Sequence, residues 1–145
     1  MKYIKLFENF DSYDPYELMI IPPNKKGEML VSEVEKPEPN LDLVRDLIVL
    51  GANLDWQDDY GRTALHCCGQ YDHLDIAKVL IDAGADVNIQ HSRGWTPLHI
   101  FTFYNHSRIA RMLIDAGADM NMRNNDGKLP YELAKSEELK ELLKP

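Results

Sequence analysis

Leu80-Ile81-Asp82-Ala83-Gly84-Ala85-Asp86 returns 33 residues later as Leu113-Ile114-Asp115-Ala116-Gly117-Ala118-Asp119. The same interval separates Thr63-Ala64-Leu65-His66 from Thr96-Pro97-Leu98-His99, and two glycine series, Gly51, Gly84, Gly117 and Gly61, Gly94, Gly127, keep it. The apolar pairs Leu43-Val44, Ile76-Ala77 and Ile109-Ala110 stay in the same register. A fixed period of this length marks a stacked array of small units, none of which can bury its apolar face alone.

Within one period the residues spell helix, turn, helix. Thr63 and Thr96 each stand one residue before an apolar helical pattern, where a hydroxyl can accept the unpaired N–H groups of the first turn, and Pro97 presets the backbone of the first helical position. Gly51, Gly84 and Gly117 follow the second helix as stops. The first full unit is therefore a turn over 57–61 and helices over 63–71 and 74–83; the second is a turn over 90–94 and helices over 96–104 and 107–116. Upstream, Lys36-Pro37-Glu38-Pro39-Asn40 breaks the chain, and Asn40 caps an amphipathic helix over 41–50, the second helix of an incomplete first unit. Downstream, Leu129-Pro130-Tyr131-Glu132 replaces the Thr-Pro-Leu-His motif, and residues 133–143 read as two short polar helices, the way such arrays close an open end.

A unit carrying Thr-Pro-Leu-His, then Ile-Ala-x-x-Leu-Ile, then Gly-Ala-Asp-x-Asn resembles the ankyrin repeat, over residues 41 to 144. The resemblance implies an all-α, ankyrin-like solenoid of helix-turn-helix repeats: two full, a partial first and a truncated last. It also implies that His66 and His99 tie neighbouring turns together and that His73 and His106 are structural. His91, at a turn tip where the family has Asp, looks free. Phe101 stands where the family has a small Ala, so either the helices spread or Phe101 fills space left by small residues such as Gly69.

Residues 1–40 do not fit the repeat and are expected to form a capping segment ahead of an array over 41–145. Tyr3, Ile4, Leu6, Phe7 and Phe10 fall on one side of a short helix. Glu17-Leu18-Met19-Ile20-Ile21 and Glu28-Met29-Leu30-Val31 flank Pro22-Pro23-Asn24-Lys25-Lys26-Gly27 as strands flank a turn, which predicts a small β-hairpin. The opening Met-Lys-Tyr-Ile-Lys-Leu-Phe-Glu-Asn-Phe resembles the starts of proteins from large tailed phages and some marine bacteria.

A net charge of −8 repels phosphate, so neither nucleic acid nor a membrane surface is an expected partner. The first twenty residues lack the apolar core of a signal peptide, and no run is long enough to span a bilayer, which predicts an intracellular, cytoplasmic protein. Cys67 and Cys68 are neighbours on one helix, where their side chains diverge; a disulfide between them is strained, and two thiols alone do not make a zinc site. Phosphate loops, His-Glu-x-x-His and Cys-x-x-Cys are absent. The expectation is a non-enzyme with no cofactor, no metal and no catalytic residue.

The resemblance implies that another protein binds the concave face of first helices and turn tips. Carried over position by position, it singles out Tyr60, Arg62 and Tyr71 in the first unit, Arg93, Trp95, Phe103 and Tyr104 in the second, and Lys128 in the third. Trp, Tyr and Arg are the types enriched at binding hot spots; the alternative is that Trp95 and Phe103 merely pack against neighbouring turns. The expected function is a monomeric, non-enzymatic protein-interaction module. The competing reading is an inhibitor or effector, of phage origin, that blocks a host or defence protein.

Overall fold

A computed structural model describes residues 14–145. The helix expected over Tyr3 to Phe10 lies outside the described residues. Among these, all regular structure is helical: α1 (Pro15–Met19), α2 (Pro23–Val34), α3 (Leu41–Val49), α4 (Ala64–Tyr71), α5 (Leu74–Asp82), α6 (Pro97–Phe103), α7 (Ser107–Asp115), α8 (Pro130–Leu133) and α9 (Glu137–Leu143). The pairs α2/α3, α4/α5, α6/α7 and α8/α9 stack into a solenoid, with α2, α4, α6 and α8 forming one row and α3, α5, α7 and α9 the other. The repeated apolar residues are buried at the same register in each second helix: Leu43, Val44 and Leu47; Ile76, Ala77 and Leu80; Ile109, Ala110 and Leu113. Burying each large one is worth about 1.5–3 kcal/mol, which only stacking provides.

The β-hairpin expected over Glu17 to Val31 is replaced by helices. Pro22 and Pro23 start α2, with Pro23 in its first turn, where a missing N–H costs nothing. Gly27 lies inside that helix because the following loop packs against it: an added Cβ would meet the Asn53 carbonyl at 2.5 Å and Trp56 Cβ at 2.6 Å. That loop is also tied to the start of α2, since Asn53 N–H donates to the Pro23 carbonyl at 2.9 Å and buried Lys26 donates through Nζ to the Leu50 carbonyl. Met29, Leu30, Val31 and Val34 are buried, and α2 packs on α4 as α4 packs on α6. The first unit thus has both helices, the first of them without the Thr-Pro-Leu-His motif.

Adjacent units are joined at their turns. Ser92 N–H donates to the Tyr60 carbonyl at 2.9 Å, and Asn125 N–H to the Arg93 carbonyl at 3.0 Å. Gly94 at φ 74° permits this approach, because a Cβ there would sit 2.8 Å from Asn125 N. Histidine adds the second tie. Thr63 N–H donates to His66 Nδ1 at 3.1 Å, which leaves the ring proton on Nε2, 3.0 Å from the Trp95 carbonyl. His99 repeats this with Thr96 N–H at 3.1 Å and the Lys128 carbonyl at 3.0 Å. In α8 the motif is halved: Leu129 N–H donates to Glu132 at 2.7 Å.

Phe101 is fully buried, and a Cβ added at Gly69 would meet Ile100 Cγ2 at 2.7 Å and the Phe101 ring at 3.4 Å. Ile100 and Phe101 together take up the space that the missing side chain of Gly69 leaves.

The histidine ties predict acid sensitivity. Burial pushes the His66 pKa down from 6.5 to about 4 and lowers that of His99. The unfolded chain therefore takes up these protons first, so stability is full above pH 6.5 and is lost as pH falls toward 4. For His66 alone the loss between pH 7 and pH 5 is roughly 2 kcal/mol. Urea unfolding at the two pH values measures it, and an unchanged midpoint would show the histidines do not couple folding to protonation.

Candidate protein-binding surface

Each turn tip is closed by hydrogen bonds within the tip. In the first, Asp58 N–H donates to the Arg62 carbonyl at 3.0 Å, and Asp58 Oδ1 accepts from the Tyr60 and Arg62 amides at 2.9 and 2.8 Å. In the third, Asn124 Oδ1 accepts from the Asp126 and Lys128 amides at 3.0 and 2.9 Å. The second tip has His91 in this place, its Nδ1 accepting from Arg93 N–H at 2.9 Å. His91 is therefore not the free histidine expected: it does the turn-closing work of the Asp and Asn. Burial, with the charges of Arg93 and Arg62, lowers its pKa and keeps it a neutral acceptor.

Two adjoining depressions lie between the first and second tips and the helices behind them. One is lined by Tyr60, Arg62, Gln70, His91, Ser92 and Arg93. The other, of about 210 Å³, shares Gln70, His91 and Arg93 and adds Trp95, Ile100, Phe103 and Tyr104. Six of the eight residues singled out from sequence meet here: Tyr60, Arg62, Arg93, Trp95, Phe103 and Tyr104. Tyr71 and Lys128 line neither depression; Tyr71 stacks on His73 with ring centroids 6.5 Å apart, and the Lys128 carbonyl receives His99.

The aromatics form a linked group. The half-buried Trp95 ring meets Phe103 edge-on at 5.5 Å and stacks over His91 at 6.4 Å, and Phe103 meets Tyr104 at 5.2 Å. Packing against neighbours and partial exposure coexist, since Phe103 and Tyr104 keep 37% and 47% of their surface open. Lys135 Nζ lies 4.5 Å from the Phe103 ring centroid. Sequence reasoning missed it, because Lys135 follows α8, where the repeat has lost its pattern.

The two arginines differ in availability. Arg62 Nε donates to Asp58 Oδ2 at 2.8 Å, Nη1 donates to Gln70 Oε1 at 3.1 Å, and Nη2 pairs with Glu35 at the end of α2. Burial opposes its charge, but the bonds to Asp58 and Glu35 outweigh burial and hold its pKa above the ordinary value. Arg93 is exposed and forms no ion pair among the described residues.

Burial pushes the Cys67 thiol up to about 12 and Cys68 well above its usual range, so both stay protonated at neutral pH. Among the described residues no group of His, Cys, Asp and Glu could hold a metal ion, and no helix is long and apolar enough to cross a membrane.

A family model described as ankyrin repeats, in three copies, matches residues 30–142. The chain belongs to the ankyrin-repeat family. No curated protein matches it. Ankyrin repeats are generally protein–protein interaction modules and typically non-enzymatic, and the matched segment of this ankyrin array includes both depressions and the last part of α2.

Substitution of the two arginines separates scaffold from surface. Arg62→Ala leaves Asp58 and Glu35 without their cation and is expected to cost about 1–3 kcal/mol. Arg93→Ala is expected to change stability by no more than about 0.5 kcal/mol. Thermal melts of both variants check this, and equal losses would contradict the division.

Proposed function

We propose that this chain is a non-enzymatic, monomeric interaction module that binds a partner protein through the first and second turn tips and the first helices behind them. Tyr60, Arg93, Trp95, Phe103 and Tyr104 make the contact, and Tyr71 and Lys128 extend its margins. The observation that carries this reading is the partly exposed Trp95–Phe103–Tyr104 group on a hydrogen-bonded turn. Rigid aromatic anchors that lose little conformational freedom on binding are where hot spots concentrate, at about 2 kcal/mol or more each. The net charge of −8 favours a protein over nucleic acid or an anionic membrane as partner, and an intracellular setting suits the two free, buried cysteines.

Affinity capture from the native host's lysate tests this. A protein retained by the wild-type chain and lost by a folded Trp95→Ala/Tyr104→Ala variant is the expected result. Equal retention by both would remove the function from this surface.

Residues 1–40 are proposed to close the array beside α4. Deleting residues 1–36 removes α2 and uncovers the face of α4 on which it packs. The truncated chain is expected to melt at least about 10 °C lower, by the usual conversion of several kcal/mol in a chain of this size. An unchanged melting temperature would rule the closing role out.

A further inference from the structure

We infer that the partner presents an acidic–apolar segment to this surface: an aliphatic or aromatic side chain seated beside Trp95, Phe103 and Tyr104, with an Asp or Glu within about three residues of it. The inference rests on the reading of this surface as the binding site. It comes from the distribution of charge around the aromatic group. At the first tip Asp58, with Glu35 from the end of α2, is paired with Arg62, while Asp59 is exposed and outside the aromatic depression, whose lining includes no carboxylate. Farther along, Glu132 faces Arg123 at 3.7 Å. His91 is held neutral.

What stays uncompensated beside the aromatics is positive. Arg93 lines both depressions, and Lys135 stands over Phe103; neither forms an ion pair among the described residues. In a chain of net charge −8 these two cations make a local positive field inside a negative one. A single carboxylate is attracted here and can take a paired hydrogen bond from the planar Arg93 guanidinium. A polyanion would extend past the cations toward exposed Asp59 on the first tip and Asp126 on the third, where it is repelled. A basic segment would set its charge against Arg93 and Lys135. The depression beside Arg93 is lined by Ile100 and three aromatic rings, which calls for an apolar neighbour to that carboxylate.

Selection of a random peptide display library, about twelve residues long, against the full chain tests the inference, with the hits synthesised and their affinities measured by fluorescence anisotropy. The expected hits place Asp or Glu near Leu, Ile, Phe or Trp. Arg93→Ala should weaken them roughly tenfold or more at an unchanged melting temperature, and Arg93→Lys should restore part of the loss. Replacing the peptide carboxylate by its amide should weaken binding to the wild-type chain and add little further loss to Arg93→Ala. Neutral or basic hits that are lost in Trp95→Ala/Tyr104→Ala would overturn the acidic segment and keep the surface. Hits indifferent to Arg93, Trp95 and Tyr104 would overturn both, and a selection that enriches no acidic–apolar sequence overturns the inference.

Discussion

The bond from an imidazole Nε2 to the carbonyl of the next turn is the interaction on which the array depends. In each full unit Thr closes on the histidine Nδ1 from one side, which fixes the tautomer, and the opposite ring nitrogen then points to Trp95 or Lys128. The capping of one helix and the docking of the next turn are thereby one event. A helix of eight residues, such as α4, is too short to persist by itself in water, so the cap and the stack form together. Burial keeps these rings neutral, and neutrality keeps them able to accept on one side and donate on the other.

How far the residues announced the structure follows from which ones recur. Period and helix limits are legible because each is repeated at a fixed interval, the histidine ties because the motif resembles that of a known family, and Asn40 because it precedes an amphipathic run, which it caps through the Asp42 and Leu43 amides. The segment before it is not. Pro22, Pro23 and Gly27 are turn residues by local rule, and in α2 each serves the helix for a tertiary reason: the prolines at its start, the glycine where Trp56 and the Asn53 carbonyl press in. For His91, position in the turn counts for more than residue type. It stands two residues before an amide it must accept, just as Asp58 and Asn124 do.

At the surface, Tyr60, Arg62, Arg93, Trp95, Phe103 and Tyr104 line the two depressions, while Tyr71 and Lys128, at the repeat positions of Tyr104 and Trp95, line neither. Spacing places a residue on a face but says nothing of its neighbours' charges. Arg62, a contact residue by its repeat position, lines a depression and also braces the end of α2 and the first tip to Gln70. Only the three-dimensional partners separate it from Arg93.

The fit of Ile100 and Phe101 over Gly69 limits how this array can grow. Arrays of repeats lengthen when the coding unit is copied in tandem, and backbone ties alone would let any unit be copied. Here a second copy of residues 74–106 would set a new Ile100 and Phe101 against Thr102, the equivalent of Gly69, and overfill the space. A copy of the preceding unit would bring Cys68, the counterpart of Phe101, over Gly69 and leave a void. The units are alike in plan but ordered in sequence, so lineage lengthening of this chain requires a compensating change at the junction.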